Sequence, residues 1–233
     1  MLDVQNLEAW YGRAQILNGI SLSVGENEVV ALMGRNGAGK STTMKSIMGL
    51  VRHIDGTIRY ADREIQGNAP HVICRFGFGY VPEDRRIFGD LTIEENLEVG
   101  RRAPRPDAPE WTQEHLFELF PNLAERRKNL GKQLSGGEQQ MLTIARTLMG
   151  NPKLVLLDEP SEGIAPVIVE QMARVIAELK REGLSVLISE QNLHFARIVS
   201  DRAYIIEKGE VRFEGSFADL DNNPEISNTY LAV

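Results

Sequence analysis

The sequence of 233 residues predicts an α/β fold that is built around a mainly parallel β-sheet. Three short apolar runs, at residues 28–34, 153–159 and 184–190, are typical of buried parallel strands. Helical patterns precede the second and third runs, at 135–150 and 166–183. Because strands that alternate with helices form parallel sheets covered on both faces, we expect helices on either side of this sheet.

The flanking segments follow other patterns. Residues 1–30 and 57–66 show the alternation and the turn residues of antiparallel strands. The stretch from about 84 to 150 is mostly helical in pattern, and a loop at 104–109 interrupts it. The tail from residue 209 predicts a hairpin and then a short helix. One cassette with two lobes is the simplest account of these patterns.

The composition of the chain narrows the range of functions that the protein can have. The chain is 42% hydrophobic and 25% charged, which suits an ordinary globular protein. Its formal net charge is -7 and it has no long basic block, so we expect no nucleic acid as a partner. The single cysteine excludes an internal disulfide and fits a reducing compartment. The apolar runs are far shorter than the roughly 20 residues of a membrane-spanning helix.

A phosphate-binding loop follows the first strand. Residues 34–42 read GRNGAGKST, which matches the pattern Gly-x-x-x-x-Gly-Lys-Ser/Thr. Glycines let such a loop point backbone N–H groups at phosphates, and the positive end of the next helix faces the same anion. We expect Lys40 to reach the terminal phosphates and Ser41 to place its hydroxyl on Mg²⁺. The predicted phosphate-binding residues are Gly34, Arg35, Asn36, Gly37, Ala38, Gly39, Lys40, Ser41 and Thr42.

Two adjacent acids, Asp158 and Glu159, end the second apolar run. Like charges repel, and removal from water costs each of them free energy. In proteins with this phosphate loop, an acid at the end of a second apolar strand helps to hold Mg²⁺, and Asp158 is placed for that role. The cation relieves the repulsion, and Glu159 can then polarise an attacking water as a general base. Capping of a helix is the alternative for Glu159.

Residues 134–140 read LSGGEQQ, just before the second strand. LSGG-Q is the signature of ATP-binding cassette (ABC) ATPases, and the chain resembles this family over essentially its whole length. The resemblance implies a P-loop NTPase fold with a RecA-like core, an antiparallel β subdomain and an α-helical subdomain. It also implies one ATP-binding domain at 1–233, whose helical subdomain spans about 84–150 and carries the signature.

The same resemblance implies a head-to-tail dimer with ATP and Mg²⁺ as cofactors. In this family the signature of one subunit closes over the ATP that is bound at the P-loop of the other. Ser135, Gly136 and Gly137 of this chain correspond to that signature. Tyr11 matches the family's aromatic residue that stacks on adenine, although packing within the β lobe is an alternative for it.

Three positions depart from the common family pattern. Glu83 replaces a glutamine, Ala165 replaces an aspartate and Gln191 replaces a histidine. Glu83 keeps an oxygen ligand for Mg²⁺ or water. Gln191 can hydrogen-bond a γ-phosphate but cannot carry a positive charge. Because the P-loop lysine and serine and the two acids are all present, we expect ATP hydrolysis, with Glu159 and Gln191 as the catalytic side chains.

The segments VPEDRRIF, SEGIAP and SEQN together resemble one subgroup, the smaller ATP-binding subunit of bacterial branched-chain amino acid importers. That resemblance implies a heterodimer with a second ABC ATPase subunit, with a homodimer as the alternative. It also implies integral membrane permease subunits, an indirect link to a periplasmic binding protein, and a peripheral position on the cytoplasmic face of the inner (plasma) membrane. Importers of urea or short amides, and a soluble ABC ATPase such as one for iron–sulphur assembly, stay open as alternatives.

Overall fold

The computed structural model describes residues 1–106 and 108–231, which form two β-sheets with helices around them. In chain order the strands are β1 (Leu2–Tyr11), β2 (Ala14–Val24), β3 (Val29–Met33), β4 (His53–Tyr60), β5 (Arg63–Glu64), β6 (Phe78–Val81), β7 (Leu154–Asp158), β8 (Ser185–Glu190), β9 (Arg202–Glu207) and β10 (Glu210–Gly215). The α-helices are α1 (Lys40–Ile47), α2 (Pro70–Arg75), α3 (Ile93–Gly100), α4 (Gln113–Leu119), α5 (Pro121–Ala124), α6 (Gly136–Leu148), α7 (Pro166–Arg181), α8 (Leu193–Val199), α9 (Phe217–Asp221) and α10 (Pro224–Tyr230).

The larger sheet has the strand order β10-β9-β3-β8-β7-β6. Its strands are parallel except for β10, which pairs antiparallel with β9. The three predicted parallel strands are confirmed as β3, β7 and β8, and every residue in them is buried. Since parallel strands point the same way, the loops that follow β3, β6, β7 and β8 meet at one edge of the sheet. This carboxyl edge carries the candidate site.

The smaller sheet is antiparallel, as its sequence alternation predicts, and has the order β2-β1-β4-β5. One apolar cluster joins it to α1 and to one face of the larger sheet. Fully buried members of this cluster include Leu7, Leu17, Leu32, Met44 and Ile58. The packing of the two sheets on this cluster fixes the position of the P-loop, which lies between β3 and α1.

The segment between β6 and β7 forms helices α3 to α6 with loops between them, so the predicted helical stretch is confirmed. Thr92 and Ser135 cap α3 and α6, each in a reciprocal pair with a glutamate three residues later. Buried side chains of this segment, such as Leu97 and Phe117, share one apolar cluster with the other face of the larger sheet. The start of α6 is thereby held firmly to the sheet.

A hairpin is present, but it begins before the predicted tail: β9 precedes residue 209, and only β10 lies within the tail. Two short helices, α9 and α10, then follow, rather than the one that the sequence predicts. Asn222 and Asn223 follow α9, and Pro224 begins α10, so the helical chain is interrupted there. Across the residues that the structure describes, no helix has both the length and the apolar character required to span a bilayer.

Candidate functional site

The P-loop approaches its neighbours too closely for side chains at two of its glycines. A Cβ atom at Gly34 would lie 2.3 Å from the carbonyl oxygen of Ile206 in β9. At Gly39, which has a φ of 113°, it would lie 2.7 Å from Cδ2 of Leu17. The loop therefore fits tightly between the two sheets. Lys40 follows it as the first residue of α1. The helix start that the sequence predicts near Lys40 is confirmed.

The ammonium group of Lys40 lies inside the loop and is only 3% exposed. Its Nζ donates hydrogen bonds to the carbonyl oxygens of Gly34 at 2.7 Å and Arg35 at 3.1 Å. It also forms an ion pair with Oε1 of Glu159 at 3.0 Å. The loop thus aims one buried positive charge at the carboxyl edge, next to the second of the two adjacent acids.

The carboxylate of Asp158 is held by three hydroxyl groups. Its Oδ1 accepts hydrogen bonds from the hydroxyls of Ser41 at 2.9 Å and Ser189 at 2.7 Å, and its Oδ2 accepts one from Tyr80 at 3.0 Å. Burial and the negative charge of Asp158 both raise the pKa of Tyr80, so the phenol stays protonated and donates. Sequence reasoning predicts Ser41 and Asp158 as ligands of one Mg²⁺ ion but misses Tyr80 and Ser189.

Glu159 follows β7 in a left-handed conformation, with φ 45°, which is uncommon for a residue other than glycine. Its backbone N–H donates to both the carbonyl oxygen of Ser189 at 3.2 Å and the hydroxyl of Ser189 at 2.9 Å. Its Oε2 accepts from Nε2 of Gln191 at 2.7 Å, and the same Nε2 donates to Oδ1 of Asn36 at 2.8 Å. The strained backbone and these bonds turn the carboxylate toward the P-loop.

Glu159 and Glu162 each influence the pKa of the other. Burial would raise the pKa of Glu159, but hydrogen bonds with Glu162 and Lys40 and the charge of Lys40 hold it below its ordinary value. The hydrogen bond with Glu159, together with burial and the charge of Glu159, raises the pKa of Glu162 to about 7. Glu159 is therefore ionised at neutral pH, which is the state that a general base requires.

A cavity of about 350 Å³ opens over the P-loop. It is lined by Tyr11, Ile16, Asn36, Gly37, Gly39, Lys40, Ser41, Thr42, Glu83 and Glu159. Most of the residues that the sequence predicts for nucleotide and metal binding are therefore brought together around one space. Tyr11 is 49% exposed, so its ring is free to stack against a ligand. Ile16 is an addition that no motif in the sequence indicates.

The signature residues lie elsewhere in the chain and do not line this cavity. The hydroxyl of Ser135 accepts the N–H of Glu138 at 3.4 Å, and Oε2 of Glu138 accepts the N–H of Ser135 at 2.8 Å. Gly136 and Gly137 form the first turn of α6. A Cβ atom at Gly136 would lie 2.5 Å from Nη1 of Arg85. A side chain at Gly136 would therefore displace the guanidinium group of Arg85 from the start of α6.

Oxygen donors in the cavity wall, together with Asp158 next to Ser41 in that wall, also fit a magnesium ion. Mg²⁺ prefers oxygen ligands and commonly combines one or two carboxylates with substrate phosphates and water. Ser41 and Asp158 supply a hydroxyl and a carboxylate oxygen 2.9 Å apart. Glu83 adds a further carboxylate to the wall of the same cavity. These three residues are the ones that the sequence predicts as metal ligands.

Comparison with known proteins identifies the family. The family model described as "ABC transporter" matches residues 17–162, which is more than half of the chain. The chain belongs to the ABC transporter ATP-binding family. As an ABC ATPase it hydrolyses ATP, and the P-loop, the two acids and the signature that its sequence contains have the order expected of that family.

Individual relatives of this ABC ATPase cover almost its whole length. It is 42% identical over 231 residues to the high-affinity branched-chain amino acid transport ATP-binding protein BraG of Pseudomonas aeruginosa, with 99% of each chain covered. It is 36% identical to the lipopolysaccharide export system ATP-binding protein LptB of Haemophilus influenzae, which covers 99% of this chain and 97% of that protein. Among solved structures, an ATP-binding cassette of an ABC transporter in its ADP conformation superposes with a TM-score of 0.82 at 25% identity, covering 98% of this chain and 97% of that one.

Proposed function

We propose that this ABC ATPase powers a bacterial importer of branched-chain, hydrophobic amino acids. The observation that carries the proposal is its 42% identity, over 99% of both chains, to a branched-chain amino acid transport ATP-binding protein. The residue segments that resemble such importer subunits, VPEDRRIF, SEGIAP and SEQN, lie at the carboxyl edge or next to it. We further propose that residues 1–233 form one ATP-binding domain, with residues 84–150 as its helical subdomain.

In the proposed mechanism, each group at the cavity has one task. Tyr11 stacks on the adenine, and the backbone N–H groups of the P-loop bind the phosphates. Lys40 exchanges its ion pair with Glu159 for the terminal phosphate oxygens. Glu159, released from that pair, takes a proton from the attacking water, and Gln191 holds both the carboxylate and the γ-phosphate by hydrogen bonds.

The metal has a separate task. Ser41, Asp158 and Glu83 would hold Mg²⁺, which when bound neutralises charge on the phosphate oxygens. The hydroxyls of Tyr80 and Ser189 orient the Asp158 carboxylate for that purpose, since the contacts of a ligand with its neighbours fix its direction. Asp158 is therefore not an isolated acid, because its neighbours already orient its oxygen atoms for a metal ion.

The signature supports a proposal about partners. Ser135, Gly136 and Gly137 lie at a helix N-terminus outside the chain's own cavity, so we propose that they close over ATP held by a second ABC ATPase subunit. A heterodimer fits the importer subgroup, and a homodimer is the alternative. Integral membrane permease subunits and, indirectly, a periplasmic binding protein complete the proposed assembly. Its ATPases would lie on the cytoplasmic face of the inner (plasma) membrane.

A second candidate is an export system. The 36% identity to a lipopolysaccharide export ATP-binding protein also spans nearly the whole of both chains. Both relatives are named as ATP-binding proteins, so the two candidates would use the same ATP chemistry. They differ only in the membrane subunits and in the direction of transport.

Uptake of labelled leucine tests the proposal. In cells that carry this chain, Lys40→Ala should abolish uptake because the terminal phosphates lose a charged hydrogen-bond donor, worth at least about 1.5–3 kcal/mol of ATP binding. Lys45→Ala is the matched control, since Lys45 lies on the same helix but does not line the cavity. Uptake that persists with Lys40→Ala would overturn the amino acid assignment. A simultaneous loss of lipopolysaccharide from the cell surface would favour the export candidate.

A further inference from the structure

Glu190, at the end of β8, is a buried carboxylate that the proposed mechanism does not use. It is 2% exposed, and it lies next to Gln191 at the carboxyl edge. Burial raises the pKa of Glu190, and hydrogen bonds from its neighbours counteract part of that rise. Burying a carboxylate costs free energy unless its oxygens are paired, so the partners of Glu190 indicate what it is retained for.

The partners of Glu190 are backbone N–H groups of two different loops. Its Oε1 accepts from the N–H of Ser161 at 3.2 Å, in the loop that follows Glu159. Its Oε2 accepts from the N–H groups of Gln191 at 3.2 Å and Asn192 at 3.3 Å, in the loop that follows β8. One side chain therefore spans the two loops that carry the facing groups of the candidate active site.

A hydrogen bond between two side chains also joins those two loops. Nε2 of Gln191 donates to Oε2 of Glu159 at 2.7 Å. The backbone of Glu159 is anchored by Ser189 on one side, and the loop two residues later is anchored by Glu190. Glu190 therefore fixes the backbone of Gln191 and the loop that follows Glu159. The side chains of Gln191 and Glu159 are hydrogen-bonded to each other between these two fixed segments.

We propose that Glu190 is a positioning residue for ATP hydrolysis, whose carboxylate sets the contact between Glu159 and Gln191 by holding their two loops together. The inference rests on the proposed roles of those two residues. A carboxylate has two acceptor oxygens and can serve both loops, whereas an amide has one acceptor oxygen and can serve only one. The amide's NH₂ group would face the backbone N–H groups of the other loop, and two donors cannot bond each other.

The isosteric variant Glu190→Gln tests this role in the full-length protein. Misplacement of a catalytic group by about 1 Å can cost as much as 10²-fold in rate, so kcat for phosphate release should fall about 10- to 100-fold. The dissociation constant for a fluorescent ADP should stay within about twofold of wild type, because Glu190 does not line the cavity. A loss of kcat without a loss of affinity is what a positioning residue produces.

Two reference variants make the result decisive. Glu28→Gln removes another partly buried carboxylate that accepts a backbone N–H, at 2.6 Å from Gly25, but it lies before β3, at the opposite edge of the sheet. It should lower thermal stability and leave kcat unchanged. Glu159→Gln should lower turnover by roughly 10² to 10⁴.

The outcomes separate the two proposals. If Glu190→Gln loses turnover and Glu28→Gln does not, the positioning role is supported. If Glu190→Gln hydrolyses ATP at the wild-type rate while Glu159→Gln is inactive, the role of Glu190 is overturned and the proposed mechanism stands. If Glu159→Gln is also fully active, the assignment of the base is wrong and the positioning role falls with it.

Discussion

At the scale of single residues, the adjacent acids Asp158 and Glu159 avoid mutual repulsion because each has its own partners. Asp158 takes three hydroxyl donors, which prepare its oxygens for a hard cation. Glu159 takes the ammonium of Lys40 and the amide of Gln191. The left-handed backbone at Glu159 separates the two side chains into these environments, so one acid is suited to metal binding and the other to proton transfer.

Replacement of Glu159 by glutamine tests the proton-transfer role. The variant should bind ADP at least as tightly as wild type, because Lys40 no longer pairs with a carboxylate and is free for phosphate. Its turnover should fall by roughly 10² to 10⁴, the usual contribution of a general base. Phosphate release and a fluorescent nucleotide titration measure the two effects. Glu114→Gln, at an exposed position on α4, is the control, and turnover near that of the control would exclude Glu159 as the base.

The roles of single residues could be predicted where a continuous sequence motif indicates them. The P-loop pattern indicates Lys40 and Ser41, and the apolar run before the two acids indicates a metal ligand and a base. The contacts of Tyr80 and Ser189 with Asp158 were not predicted, because these residues lie on other strands. Local sequence does not determine the order of strands in a sheet. Ser189 is the parallel partner of Asp158 in the register of β7 and β8, so a correct strand order would have revealed it.

At the scale of elements, the P-loop is wedged against β9, and this contact can be tested. Gly34→Ala would place a Cβ atom 2.3 Å from the carbonyl oxygen of Ile206, so either the loop or the strand must move. Overpacking of this kind typically costs about 1–3 kcal/mol of unfolding free energy. Nucleotide affinity should fall as well, because the loop that moves is the one that binds phosphate.

The variant Gly67→Ala separates the steric clash of an added Cβ atom from the strain of a positive φ. Gly67 also has a positive φ, of 75°, but a Cβ atom there would meet no atom within 4 Å. Its cost should be limited to left-handed strain of about 1–2 kcal/mol, with no change in nucleotide affinity. Denaturant unfolding and nucleotide titration of both variants give the comparison. Equal losses of stability and equal affinities would show that β9 does not constrain the loop.

Elements were predicted well where side-chain periodicity is strong. The buried strands β3, β7 and β8 and the helices α6 and α7 follow from apolar runs and helical spacing. The tail was harder, because Pro224 divides what a polar sequence suggests is one short helix into two. The place of Ile16 in the cavity wall could not be predicted either, since it depends on how the small sheet packs on the large one.

At the scale of the whole molecule, polar side chains join the two sheets at the edge opposite the site. Nε of Arg202 in β9 donates to Oε1 of Glu28 at 2.7 Å, and its Nη2 donates to the carbonyl oxygen of Ser23 in β2 at 2.8 Å. The hydroxyl of Tyr204 accepts the N–H of Ser23 at 3.1 Å. The contacts with Ser23 join β2 of the small sheet to β9 of the large sheet.

Because of the link between Arg202 and Glu28, the stability of the fold should decrease at acidic pH. Burial would raise the pKa of Glu28, but hydrogen bonds from Arg202 and Gly25 and the charge of Arg202 hold it below its ordinary value of 4.5. A carboxylate whose pKa is lower in the folded state stabilises the fold above its unfolded pKa. That stabilisation is lost as the pH falls through 4.5 towards the folded pKa.

Thermal unfolding of wild type and Glu28→Gln between pH 7 and pH 3.5 measures this contribution. Near pH 7 the variant should have the lower Tm, because the partly buried Arg202 loses its ion pair with Glu28 and keeps only the longer one with Glu214, at 3.3 Å. Below pH 4.5 the wild-type Tm should fall more steeply and approach that of the variant, since protonation removes the same charge that the substitution removes. Glu114→Gln, at an exposed position, should follow the wild-type curve throughout. If the curves of wild type and Glu28→Gln ran parallel down to pH 3.5, the pairing of the Glu28 carboxylate with Arg202 would not stabilise the fold.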